Sequence, residues 1–189
     1  MEQDWQEEWS DFRRRATDMV RRGYPPEREM GFVDGRFLQV LKLSSFHSVI
    51  GWEIFQRKPL QHEAPLRYIA MRTEWQQAVD VQKFAGPVEQ LAYRRLKYLH
   101  RLSPTMTFSE QEIDTGRGEE IRARLAEVVI PMFTLERSWG LDGTRYEVTV
   151  GDVRAGVTVQ WWGQAPAAWH PLSDTVMPLF RALEGQYHE

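Results

Sequence analysis

The sequence predicts an α+β fold, with an antiparallel sheet of about five or six strands, helices packed mainly on one face, and an amphipathic helix at the N-terminus. Three observations carry this. Residues 141–183 alternate with a period of two and then switch to helical spacing, as a hairpin feeding a helix would. Strand-like stretches follow one another between residues 36 and 75, without the strand–helix alternation of a parallel sheet. Trp5, Trp9, Phe12, Ala16 and Met19–Val20 form a helical stripe over Asp4 to Arg22, closed by Gly23 and Pro25-Pro26. Residues 1–189 are taken as one domain, with the helix over 1–23 its most peripheral part.

Arg36 to Leu43 reads as a strand. Phe37, Gln39, Leu41 and Leu43 are expected on one face and Leu38 and Val40 on the other, and apolar residues on both faces point to a central position. Phe46 to Gln56 is expected as the second strand, with Phe46, Ile50, Trp52 and Ile54 sharing a face. Leu66 to Trp75 is the third, although RTEWQQAVDVQKF could also open a helix. Pro87 stands at the first turn of an expected helix over Val88 to Arg101. Thr105 to Ile113 alternates, but Glu110 and Glu112 make it an edge strand, where charge discourages stray pairing. Thr115 is expected to cap a helix over Glu119 to Val129, with Ile121, Leu125, Val128 and Val129 buried and Pro131 as the stop. In the hairpin, Tyr146, Val148 and Val150 alternate with Arg145, Glu147 and Thr149, and Val157, Val159 and Trp161 with Thr158, Gln160 and Trp162. Leu172, Val176, Leu179, Phe180 and Leu183 form the last helical stripe, in which Pro178 should kink or restart the helix.

Composition narrows the function classes. The chain has no cysteine, so disulfides, thiolate metal sites and a cysteine nucleophile are excluded. No apolar run approaches the roughly 18 residues of a membrane span, and MEQDWQEEWSDFRRR has no secretory h-region, so a cytoplasmic protein with no membrane partner is expected. The net charge of −3 lacks the basic excess usual in a nucleic-acid binder. Arg94, Arg95, Lys97, His100 and Arg101, interleaved with Tyr93 and Tyr98, form the densest basic patch, and helix packing explains its aromatics as well as stacking does. The five histidines lack metal-ligand spacing, and no cofactor motif is present. Gly116-Arg117-Gly118 lacks the preceding strand and lysine of a phosphate loop and reads as a loop before a helix.

The residual signal is aromatic. Trp161 and Trp162 must point to opposite faces of the sheet, and Trp169 follows a Gly/Pro connector. Trp161 is assigned to the core. Trp162 or Trp169, with Arg145 and Glu147, is expected to form a partner-facing patch, because exposed indoles anchor interfaces. The competing expectation makes both indoles a clasp that holds the last helix on the sheet.

The pattern DGTRYEV…VTVQWWG…W…PL…LF.AL resembles the tail of small bacterial α+β proteins, some of them similar to the immunity proteins that neutralise polymorphic toxins. That resemblance covers the C-terminal hairpin and helix only. It implies a non-enzymatic, cytosolic protein whose partner is a cognate toxin, and it supplies no catalytic residue. The alternatives are an enzyme acting on a small polar substrate through His47 or Glu53, and then a nucleic-acid binder using Arg94, Arg95 and Arg101.

Overall fold

The computed structural model describes residues 2–23, 32–45, 47–60, 65–84, 103–131, 134, 143–151 and 155–187. Their elements run α1 (Glu2–Arg22), β1 (Phe32–Ser44), β2 (Ile50–Pro59), β3 (Arg67–Trp75), α2 (Gln77–Phe84), β4 (Met106–Ile113), α3 (Thr115–Glu127), β5 (Thr144–Val150), β6 (Val157–Trp162) and α4 (His170–Tyr187). The six strands form one sheet in the order β4-β3-β2-β1-β5-β6, with every neighbouring pair antiparallel. The fold is α+β. β1 to β4 form a meander, α3 follows the edge strand β4, and β5 then pairs with the free side of β1.

Period-two alternation decides what each face covers. Leu38, Val40, Trp52, Ile54, Tyr68, Ala70, Val148, Val159 and Trp161 point to one face, where Ile121 and Leu125 of α3 and Leu172, Val176, Leu179, Phe180 and Leu183 of α4 close the main core. The opposite face carries Leu41, Leu43 and Trp75, covered by Phe12, Ala16 and Val20 of α1. Trp9 and Phe12 meet Trp75 at ring-centroid distances of 5.9 and 6.2 Å, which fixes the N-terminal half of α1 over β3. Gly51 lets the helix come close, since a Cβ there would sit 2.9 Å from both Val20 and Leu41 side-chain atoms.

Several expectations change in detail. A register shift in β1 between Arg36 and Leu38 turns Phe37 to the main-core face, where its ring meets Tyr68 edge-on at 5.9 Å. The second strand begins at Ile50, not near residue 46, and Phe46 lies outside the described residues. The run after Trp75 does become a helix, α2. The cap of α3 is Asp114, whose carboxylate accepts the Arg117 N–H at 3.0 Å, so Gly116 to Gly118 belong to the helix and not to a loop. Gly118 lies flat against Tyr68, whose ring carbon would be 2.2 Å from a Cβ at that position. Because α3 ends at Glu127 and Val128 is extended, Val129 leaves the helical phase and is exposed. The helix expected over Val88 to Arg101 lies outside the described residues. α4 runs uninterrupted through Pro178.

Candidate functional site

Helical spacing places Ser10, Arg13, Arg14, Thr17 and Arg21 along one flank of α1, beside the buried Phe12–Ala16–Val20 stripe. That flank looks across at β5 and β6, where Arg145 and Trp162 are directly paired and point to the α1 side of the sheet. Between them lies an open cleft of about 420 Å³, floored by Leu43, Ser44, Ser45 and Val49.

Each arginine in the cleft is held differently. Arg13 donates to the backbone carbonyls of Ser44 and Ser45 at 2.8 and 3.0 Å. Arg14 makes an exposed i,i+3 pair with Asp11, a contact that contributes little in water. Arg21 donates to Asp18 at 2.8 Å and to both oxygens of Glu147 at 3.2–3.3 Å. Arg145 donates to Glu147 at 2.9 Å and lies over the Trp162 ring, 5.9 Å from its centroid. Its Nε is buried without an acceptor.

Glu147 is therefore the hub. Its carboxylate is buried and receives guanidinium donors from α1 and β5, so it orients two cations towards the cleft. A second polar layer continues from it beneath the C-terminal end of α1. Gln39 donates to the Arg21 carbonyl at 2.7 Å and to Glu53 at 3.2 Å, and Arg36 pairs with Glu53.

The structure brings together three of the four residues assigned to the patch, Trp162, Arg145 and Glu147, and separates Trp169 from them. Trp169 sits on the other side of the sheet, half-buried against the main core, its indole N–H donating to the Pro131 carbonyl at 3.1 Å. Trp161 is core, its ring tilted against Tyr146 and packed with the α4 residues of the main core. The different surroundings of the two outer indoles set an expectation. Trp169→Ala should cost about 2–3 kcal/mol, below the range for a fully buried Trp because the ring is half-buried but packed on the main core. Trp162→Ala should cost under about 1 kcal/mol, as at partly exposed surface sites. Equal losses in chemical denaturation would contradict this division of roles.

His47 and Glu53 are not brought together. His47 is exposed in the β1–β2 connection, whereas Glu53 is 3% exposed within β2, engaged by Arg36 and Gln39 and covered by Gly23. The patch of Arg94, Arg95, Lys97, His100 and Arg101 lies outside the described residues. Among the described residues no three His, Asp or Glu side chains converge as metal ligands, and no helix is long and apolar enough to cross a membrane. Sequence reasoning missed Arg13, Arg14 and Arg21 as site residues. Their spacing along one flank was visible, but not which sheet edge that flank would face. No protein-family model, curated protein or solved structure matches the chain.

Proposed function

We propose that this chain is a non-enzymatic, cytoplasmic binding protein of the immunity type, which holds and neutralises a cognate toxin in the cleft between α1 and the β5–β6 hairpin. The observation that carries the proposal is the convergence of Arg13, Arg14, Arg21 and Arg145 on a cleft walled by the half-buried indole of Trp162. Arginine and tryptophan are the side chains that most often dominate protein interfaces. They stand here on a helix and a two-stranded ribbon pre-set by Glu147, so little ordering cost falls on binding. Glu147 serves as an orienting group because three guanidinium donors occupy it.

The test is growth rescue. The reading frame immediately upstream of this gene is expressed in a susceptible host, alone and together with this chain. Growth arrest relieved by the wild-type chain, and not by a folded Trp162→Ala variant, is the expected outcome. An upstream product that leaves growth unaffected, or arrest that the chain does not relieve, contradicts the immunity role.

A further inference from the structure

We infer that the occupant of the cleft is an acidic segment of the partner protein, whose carboxylates pair with Arg13 and Arg145. This rests on the protein-binding reading above and adds the chemistry of recognition. The chain carries a net charge of −3, yet the cleft reverses that sign locally, with Arg13, Arg14, Arg21 and Arg145 set against Asp11, Asp18 and Glu147. The surplus is not spread evenly among the arginines. Arg21 is satisfied by two carboxylates, Asp18 and Glu147. Arg13, by contrast, is fixed by two neutral carbonyls, and among the described residues no carboxylate pairs with it. Carbonyl acceptors hold the guanidinium in place and leave its charge uncompensated. Arg145 shares the single Glu147 carboxylate with Arg21 and is therefore only partly neutralised by it. Two oriented guanidiniums, one with no carboxylate partner and one sharing its own, form a receptor for carboxylate oxygens, which the planar fork matches.

The same geometry disfavours a nucleic-acid strand. Base stacking needs an open aromatic face, and the Arg145 guanidinium takes one face of the Trp162 ring. A phosphate backbone carries a charge at every nucleotide and would have to run past Asp11 and Asp18 as well as the arginines. Discrete carboxylates can settle between those acids, each at its own arginine.

The inference is tested with a fluorescein-labelled peptide alternating glutamate and serine, read by anisotropy at low salt against the full-length chain. A lysine-for-glutamate peptide and a single-stranded oligodeoxynucleotide of equal charge serve as comparisons. The acidic peptide is expected to bind and the lysine peptide not to. Affinity should fall about tenfold in Arg13→Gln and in Arg145→Gln, the loss of one charged contact each. Arg13→Lys should recover part of the affinity lost in Arg13→Gln, because it keeps the charge but not the planar fork. Since Arg13 also holds the β1–β2 connection, Arg14→Glu provides a variant with no buried contact to lose, and a several-fold fall is expected there with unchanged thermal unfolding. No binding of the acidic peptide, binding unaffected by these substitutions, or tighter binding of the oligodeoxynucleotide with the same arginine dependence would overturn the inference. The two proposals fail separately. Rescue that needs Trp162 but neither Arg13 nor Arg145 would leave the immunity role standing and remove the acidic occupant. Arginine-dependent peptide binding without any rescue would do the reverse.

Discussion

Replacing Asp80 with alanine is expected to destabilise the protein by about 3–5 kcal/mol, the range for breaking a buried charged network by removing one partner. Asp80 is 1% exposed, and its carboxylate joins three segments of chain. It accepts the Trp75 indole N–H from the end of β3 at 2.8 Å, the Thr105 backbone N–H ahead of β4 at 2.8 Å, and Lys83 of its own helix at 2.9 Å, with the Thr105 hydroxyl as a fourth donor. Alanine would leave the indole N–H of the fully buried Trp75 and a backbone N–H without acceptors, at about 1–3 kcal/mol for each unsatisfied group. Trp75 is also the residue on which Trp9 and Phe12 rest, so α1 should loosen with it.

Acid should expose the same contact. Burial by itself pushes the Asp80 carboxyl up, but the hydrogen bonds from Thr105, Trp75 and Lys83 outweigh it and hold the group below the ordinary aspartate range. A folded value below the unfolded one means that this stabilisation is complete above the unfolded pKa of about 3.9, and is lost as pH falls through the folded value. Stability measured by urea denaturation should therefore fall less steeply on acidification in Asp80→Ala than in the wild type. Parallel acid limbs, or a loss under about 1 kcal/mol at neutral pH, would show that Asp80 does not hold this junction.

Gly23→Ala should be comparably damaging, at about 3 kcal/mol, combining the left-handed backbone penalty with the cost of overpacking. Gly23 ends α1 with φ +67°, its N–H reaching the Met19 and Val20 carbonyls at 3.1 Å each. A methyl group there would lie 1.6 Å from Oε2 of Glu53, which is buried and engaged by Arg36 and Gln39. The carboxylate would have to leave its partners or the end of α1 would have to lift. Either movement would shift the Gln39–Arg21 contact, and with it the arginine that Glu147 positions. Gly35→Ala provides the comparison, because a Cβ at Gly35 meets nothing within 4 Å. It should be close to neutral, and equal unfolding midpoints for the two variants would contradict the assigned crowding.

The elements that were legible in the sequence are those whose burial follows a simple period. The β5–β6 hairpin keeps an unbroken register from Val150↔Val157 to Arg145↔Trp162, and all five residues of the expected α4 stripe are buried. The exceptions are local breaks in period. The shift in β1 moves Phe37 to the other face, and the early stop of α3 frees Val129. Proximity in sequence misled over the aromatic cluster. The connector after Trp162 turns at Gly163, with φ +60°, and takes the chain to the other side of the sheet, so Trp169 leaves the cleft that Trp162 lines. The arginine flank of α1 was hidden for a different reason. Basic residues late in a helix also suit its dipole and a solvated face, and only the strand order shows that β5 and β6 lie opposite them.

The most direct measurement of the central claim is amide hydrogen exchange on this chain, alone and in complex with the product of the upstream reading frame. Binding in the cleft predicts new protection confined to residues 10–21 of α1, to the cleft floor around Ser44 and Ser45, and to β5 and β6, with α3 and α4 unchanged. Protection on α3 and α4, with α1 and the hairpin exchanging as in the free protein, would place the partner on the opposite face and contradict the account.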